Sequence, residues 1–269
     1  LVSKGWGRPE SLTEGDVHYW GVWWGEQPYE MYREKVGRFN SEYGYQSYPD
    51  YSTLLKIAEG EELSKDAEVI AAHPKHARGT RQIDDFIQRY YPDAQPKDFE
   101  EYVHLSQLSQ AYGMEIAIEA HRTAKPYNMG TLYWQLNDAW PVTSWSSIDY
   151  YGNPKVLQER LKTLYAPVLL SLDRKEYGVF VTSDLLRDID GTLTVKVCDF
   201  EDLNLGGLKD RPLFEQTVKV ELDANENRKF VIEGLSEYLR NFDLQKVCVK
   251  LQLTEGDTLT AERKCYFSA

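Results

Sequence analysis

The sequence has 269 residues, with 43 aspartates and glutamates against 31 lysines and arginines, so its formal net charge is −12. This negative field repels polyanions, which argues against nucleic acid as a partner. The chain is 42% hydrophobic, but no apolar run approaches the roughly 20 residues that a membrane-spanning helix needs, so we expect a globular protein without membrane insertion.

The first quarter of the chain predicts two short strands, each followed by a helix. Residues 16–24, DVHYWGVWW, are typical of a buried strand, and Pro28 then opens the helical segment EMYREKV. Residues 38–44, RFNSEYG, predict a second strand, after which PDYSTLLKIAE predicts a second helix. Strand and helix therefore alternate in this part of the sequence.

Residues 61–97 are charged and poorly periodic, and we interpret them as an excursion on the outer surface that holds one short helix, QIDDFIQRYY. Apolar residues at three- and four-residue steps then predict a long helix from about Asp98 to His121. NMGTLYWQLND follows as a strand, and Pro154 opens an amphipathic helix. This order of elements is that of an α/β barrel or of an open parallel sheet.

The pattern changes after Tyr165, where helical periodicity is absent and seven short segments alternate apolar and polar residues. Seven such strands in roughly 100 residues predict an immunoglobulin-like β-sandwich. Asp190 and Gly191 predict a hairpin turn within it. We therefore divide the chain into an α/β domain over 1–165 and a β-sandwich over 166–269.

The first domain is too short for a complete eight-fold barrel. Such a barrel takes about 250 residues, whereas only 165 precede the predicted sandwich. We therefore expect either a small open sheet or the last strands, about the sixth to the eighth, of a TIM barrel whose earlier strands lie outside this sequence. The exposed edge of an incomplete barrel would be prone to pairing, which makes a homo-oligomer one expected arrangement.

A carboxylate stands at the end of the second predicted strand. Alternation places Arg38, Asn40 and Glu42 on one face, with Glu42 at the carboxyl end, where barrel enzymes keep their catalytic groups. The aromatic and amide residues YGYQ that follow are typical of a sugar subsite. The alternative for a single carboxylate is a surface or ion-paired group.

Two further segments carry candidate site residues. In LYWQLNDAWP, Trp134 and Asp138 share a face; the indole could support a sugar ring or fill a core layer, and the carboxylate could hold hydroxyls. In the first strand, Asp16, His18 and Trp20 share a face, although a single histidine is more often a structural donor. Three dispersed cysteines and five scattered histidines predict no metal site, and no cofactor is expected.

Two stretches resemble the late barrel strands of β-mannosidases of glycoside hydrolase family 2: GDVHYWGVWWGEQPYEMYREKVGRFNSEYGYQSYP and GTLYWQLNDAWPVTSWSSIDYYGNPK. The resemblance implies a retaining enzyme that releases terminal β-linked mannose from a glycan. It makes Glu42 the catalytic nucleophile and places Trp20 and Trp134 around the cleaved sugar. His18 and Asp138 fall in the same motifs, and Trp24 stands where an aromatic or histidine side chain faces the sugar.

The second catalytic carboxyl group that a retaining glycosidase requires is missing from the pattern. In the family the acid/base is a glutamate that follows an asparagine upstream of the SEYG motif, and no Asn-Glu pair precedes Glu42 in this sequence. We therefore expect the acid/base on upstream sequence and this chain alone to be inactive. The alternatives are another family 2 exo-glycosidase, specific for β-galactosides, β-glucuronides or β-glucosaminides, or a noncatalytic carbohydrate-binding protein.

Overall fold

The computed structural model describes residues 12–199 and 212–267, and the chain divides into the units Leu1–Leu164 and Tyr165–Ala269. Among the described residues, none of the helices is both long and apolar enough to span a membrane. The elements of the first unit are, in chain order, β1 Val17–His18, α1 Met31–Glu34, β2 Asn40–Glu42, α2 Tyr51–Leu54, a 3-10 turn Gly60–Glu62, α3 Glu68–Ala71, α4 Gly79–Tyr90, α5 Phe99–Thr123 and α6 Val156–Leu164.

Three extended segments of the first unit run side by side. Strands β1 and β2 pair in parallel, and Asn40 forms a parallel bridge with Thr131 on the other side of β2. The predicted strand over residues 128–138 is therefore present as an extended segment against β2, although it carries only that bridge. The described residues of this unit do not form a closed barrel. They form a short parallel sheet within an α/β unit.

The first predicted strand is wrong beyond its third residue, His18. It ends at His18, and residues 21–25 form a turn in which the amide of Trp24 donates to the carbonyl of Trp20 at 2.9 Å. Glycine at the end of this turn is required for packing, since a Cβ on Gly25 would lie 2.5 Å from the carbonyl oxygen of Gly21. The apolar run therefore marks a buried turn whose indoles diverge.

Helix α5 confirms the predicted long helix. Its first turn is capped by Asp98, whose carboxylate accepts the backbone N–H of Glu101 at 2.9 Å. Gly113, which weakens the helical pattern, allows the ring of Tyr29 to pack on the helix, because a Cβ there would lie 2.3 Å from that ring. The helix thereby buries one long face against the aromatic core of the first unit.

The segment over residues 61–97 does not lie wholly on the outer surface, as its charge content predicted. Helix α4 confirms the short helix, but Ile83 and Phe86 on it are buried in the core. Pro74 forms a parallel bridge with Thr143. The segment therefore reaches the residues that follow Trp134, which brings it to the candidate site described below.

The second unit contains two antiparallel sheets, as the period-two alternation predicted. The elements are β3 Val168–Leu172, β4 Val179–Ser183, β5 Ile189–Asp199, β6 Phe214–Leu222, β7 Asn227–Phe230, α7 Leu235–Arg240, a 3-10 turn Leu244–Lys246, β8 Val247–Glu255 and β9 Thr258–Tyr266. The strand orders of the two sheets are β3-β4-β7 and β6-β5-β8-β9, and apolar side chains from both sheets line one core. The short helix α7 was not predicted.

The hairpin turn predicted at Asp190 and Gly191 is wrong, because both residues lie inside β5 and pair with Glu221 and Val220 of β6. The glycine has a packing reason instead: a Cβ on Gly191 would lie 2.5 Å from the carbonyl oxygen of Thr254 on β8. A glycine inside a strand pattern here marks close approach of two backbones.

Candidate active site

The parallel pairing of β1 and β2 brings His18 and Glu42 to the same edge of the sheet. The two residues are register partners, and Nδ1 of the imidazole contacts Oε2 of the carboxylate. The other ring nitrogen, Nε2, lies 3.3 Å from Oδ2 of Asp16. The imidazole therefore bridges two carboxylates, and the Glu42 side chain retains 15% of its exposure.

The turn after β1 places tryptophans beside this edge. Trp20 makes edge contacts with Trp24 and Trp145, with ring centroids 6.4 and 5.9 Å apart. Trp23 is fully buried, whereas Trp24 is 48% exposed. The turn thus separates one indole that belongs to the core from another that faces outward.

Trp134 reaches the same edge through its backbone, since its amide donates to the carbonyl of Tyr43 at 2.7 Å. Gly44 makes this approach sterically feasible, because a Cβ there would lie 2.3 Å from the Trp134 carbonyl and 3.1 Å from Cδ1 of Trp145. The Trp134 indole is 44% exposed. The peptide bond that follows it, to Gln135, is cis.

Asp138 is buried rather than open to a ligand. Its Oδ1 accepts from Nζ of Lys75 at 2.8 Å and from Gln135 at 3.2 Å, and its Oδ2 accepts from Ser144 at 2.6 Å and from Ser146 at 2.5 Å. Four donors occupy the acceptor sites that an ionised carboxylate offers. The predicted contact with sugar hydroxyls would therefore require one of these donors to leave.

Two site residues come from the segment that was predicted to lie on the outer surface. Lys75 pairs with Asp138, and the imidazole of His76 packs edge-on against Trp24 with centroids 4.5 Å apart. Burial lowers the pKa of His76 from its ordinary value. Sequence reasoning missed both residues, because they stand in an aperiodic charged segment. Their partners are also distant in the sequence: Asp138 lies about 60 residues from Lys75, and Trp24 lies about 50 residues from His76.

A fully buried lysine supports the loops behind the site. Nζ of Lys155 donates to the backbone carbonyls of Ser47 and Ser144, each at 3.3 Å. Burial lowers the pKa of Lys155 to about 8, an effect that Asp138 and Asp149 partly offset. This cation therefore holds the chain that follows β2 against the chain that follows Trp134.

The described residues contain no group of three or more histidine, cysteine or acidic side chains that could hold a metal ion. The arrangement instead offers a largely buried carboxylate held by an imidazole, next to exposed indoles. A carboxylate of this kind can act as a nucleophile or as a base, and indole faces can stack on the apolar faces of sugar rings.

Comparison with known proteins agrees with this chemistry. Residues 175–269 match the family described as Mannosidase Ig/CBM-like domain. A β-mannosidase of Capra hircus is 33% identical over 226 residues, which are 76% of this chain and 25% of that protein. β-Mannosidase B of Aspergillus oryzae is 28% identical over 246 residues, which are 84% of this chain and 28% of that protein.

This chain is also similar to solved structures of glycoside hydrolases. The β-D-mannosidase of Dictyoglomus thermophilum superimposes with a TM-score of 0.82 and 28% identity, over 94% of this chain and 30% of that one. An exo-chitosanase of Amycolatopsis orientalis has a TM-score of 0.67 at 19% identity, over 90% of this chain and 30% of that one, and shares the fold alone. The chain therefore spans between a quarter and a third of the length of these relatives.

Proposed function

Since this chain is homologous to the β-mannosidases of glycoside hydrolase family 2 over most of its length, we propose that it carries the nucleophile half of a retaining exo-β-mannosidase site. The substrate would be a glycan with a terminal, non-reducing β-D-mannose. Glu42 is the nucleophile, and the acid/base comes from sequence outside this chain. The observation that carries this proposal is the contact of Glu42 with His18 at an edge lined by indoles.

The reaction proceeds by two displacements at C1 of the mannose. In the first, a carboxylate oxygen of Glu42 bonds to C1 while the bond from C1 to the leaving oxygen breaks, and the acid/base protonates that oxygen. In the second, water attacks C1, gives its proton to the acid/base and releases Glu42. His18, itself held by Asp16, orients the carboxylate for the attack.

The indoles and Asp138 have different roles in this proposal. Trp20 and Trp134 line the subsite of the cleaved mannose, with Trp24 further out. Asp138 acts on the sugar only indirectly, because its oxygens already accept four hydrogen bonds from this chain. It positions the loop that follows Trp134.

We place the first unit as the closing strands of a TIM barrel. The parallel strands support this, since their carboxyl ends converge on Glu42. Exposed apolar side chains on the segment after α5 support it as well: Met129, Leu132 and Leu136 are each more than half exposed, at 53%, 55% and 58%. The remaining strands and helices of a complete barrel would cover them. The alternative, pairing of this edge with a second copy, stays a prediction.

A graft tests the proposal, with the segment that this chain matches in the Dictyoglomus enzyme replaced by this chain. We call this protein the grafted enzyme. It should hydrolyse an aryl β-mannoside in preference to the corresponding β-galactoside, β-glucuronide and β-glucosaminide. Glu42→Gln should abolish turnover and also the covalent label left by 2-deoxy-2-fluoro-β-mannosyl fluoride.

Glu59→Gln is the matched control, because it changes an exposed glutamate that lies outside the site and should leave turnover intact. Turnover or labelling that survives Glu42→Gln would refute the assignment of the nucleophile. If the chain bound sugar but Glu42→Gln had no effect on turnover, the alternative of a noncatalytic carbohydrate-binding protein would be favoured.

A further inference from the structure

We propose that residues 73–76, together with the indoles of Trp24 and Trp140, form a second saccharide subsite, which binds the part of the glycan that leaves. This inference rests on the proposed function, since it extends the same site outward from the cleaved mannose. We call residues 73–76 the rim segment. Its ligand is an uncharged sugar unit.

Hydrogen bonds connect the rim segment to the loop after Trp134, and they connect the helix that follows the rim segment to the turn after β1. The amide of Lys75 donates to the carbonyl of Thr143 at 3.0 Å, and Nζ of Lys75 is 2.8 Å from Asp138. Helix α4, which follows the rim segment, is tied to the turn after β1, because Nε2 of Gln82 donates to the carbonyl of Trp23 at 2.5 Å. The rim segment therefore spans from the turn after β1 to the loop after Trp134.

Each end of the rim segment packs a histidine against an exposed indole. His76 lies edge-on to Trp24 at 4.5 Å, and His73 lies 5.8 Å from Trp140. The two indoles are 48% and 41% exposed. Half-exposed indoles held by neighbouring rings are rigid apolar platforms, and the apolar face of a pyranose can stack on such a platform.

The histidines supply hydrogen-bond acceptors beside these platforms. Nδ1 of His73 is 2.5 Å from the carbonyl of Val69, so it must be the donor, and the neutral ring then has its lone pair on Nε2. Nδ1 of His76 is 2.9 Å from Oε1 of Gln82, whose Nε2 is already committed to a carbonyl, so the same tautomer follows. The lone pair on Nε2 can accept a hydrogen bond from a hydroxyl group, and sugars carry many hydroxyl groups.

The charges around the rim segment are already paired. Lys75 is bound to Asp138, and Arg78 lies 3.0 Å from Glu26. An anionic or cationic ligand would have to compete with these partners. Indole faces, neutral acceptors and paired charges together favour a saccharide over a charged ligand.

The test measures binding of cellobiose and of β-1,4-mannobiose to the 269-residue chain, by saturation-transfer NMR and titration. The subsite lies wholly within this chain, so both disaccharides should bind. Trp140→Ala and His76→Gln should each weaken binding about tenfold, the loss expected when a stacking face or an acceptor is removed. Trp140 is 41% exposed, so its substitution should leave the unfolding midpoint close to that of the wild type.

Two further variants separate this inference from the proposed function. Cellobiose carries no mannose, so Glu42→Gln and Trp134→Ala should leave its affinity unchanged if the outer subsite is separate. If the grafted enzyme fails to use Glu42 but cellobiose binding still depends on Trp140, only the proposed function is wrong. If neither disaccharide binds, or if Trp140→Ala and His76→Gln both bind like the wild type, the second subsite is refuted. Self-association through Trp140, without sugar binding, would refute it in favour of a protein contact.

Discussion

His18 contacts Glu42 because the parallel register of β1 and β2 makes the two residues direct partners, and Asp16 holds the imidazole from its other side. A carboxylate that must attack one carbon atom benefits from a fixed orientation, since a misplacement of about 1 Å can cost 100-fold in rate. We therefore treat His18 as a positioning residue that acts through Glu42, and this role differs in its kinetics from direct sugar binding.

The first prediction concerns His18→Ala in the grafted enzyme. We expect kcat for an aryl β-mannoside to fall by about 100-fold while KM stays within a few-fold, because the carboxylate loses its orientation. His18→Asn should restore part of the rate, since the amide nitrogen can donate from nearly the position of Nδ1. Steady-state kinetics on the three proteins measures both effects. A raised KM with unchanged kcat would instead assign His18 to the sugar.

The second prediction concerns Asp138→Asn. Removing one charge from a buried pair leaves Lys75 without its counter-ion, so the free energy of unfolding of the first unit should fall by about 3 kcal/mol. Urea titration followed by tryptophan emission measures it, because all seven tryptophans precede residue 150.

Asp85→Asn is the matched control for Asp138. Asp85 is exposed and lies 3.7 Å from Arg81, and a surface pair of this kind contributes about 0.5 kcal/mol or less. Unchanged stability of Asp138→Asn, combined with lost sugar affinity, would contradict the positioning role and restore the contact predicted from the sequence.

How far the sequence predicts this site can be judged from particular residues. Period-two alternation was enough to place Glu42 at a strand end and His18 on one face of the strand before it. It did not predict their contact, because the predicted first strand ran on to Trp24, whereas the observed strand ends at His18. The burial of Asp138 could not be predicted, because two of its four donors, Lys75 and Ser146, lie 63 and 8 residues away. The local periodicity of apolar and polar residues carries no information about such a contact.

The fold shows the same limit. Alternation identified the strands of the sandwich, but it also extended the first strand past Gly21 to Trp24, where the chain turns. It assigned a turn to Gly191, where the chain continues straight. Gly191 is explained by close approach of a second backbone, and at Gly21 a Cβ would meet the hydroxyl oxygen of Tyr19 at 2.5 Å; only the packed structure shows either contact.

The third prediction uses Gly191→Ala in the sandwich. A methyl group there would meet the carbonyl oxygen of Thr254 at 2.5 Å, so β5 and β8 must separate, and we expect a loss of about 1 to 3 kcal/mol. Amide hydrogen exchange in β5 and β8 reports it independently of the tryptophans. Thr192→Ala changes the exposed neighbour on the same strand and should cost less than about 1 kcal/mol. If the amides of β5 and β8 were equally protected from exchange in Gly191→Ala and Thr192→Ala, the close approach of Gly191 to Thr254 would not explain the glycine.

The last prediction concerns pH and Lys155. Burial lowers the pKa of Lys155 from 10.5 to about 8 in the folded chain. Between these values the unfolded lysine binds a proton that the folded one has lost, so unfolding takes up a proton and stability rises with pH across that window. Below about pH 8 the folded chain bears the full cost of the buried charge, roughly 3 kcal/mol for this shift.

Comparison with Lys155→Met isolates this effect, because other groups titrate alike in both proteins and cancel in the difference. From pH 8 to pH 10, the free energy of unfolding of the wild type should rise relative to that of the variant by about 2 kcal/mol. Urea titrations followed by tryptophan emission measure this in the first unit. Parallel pH profiles would show that Lys155 keeps its ordinary pKa when folded, and that the carbonyls of Ser47 and Ser144 compensate for its burial.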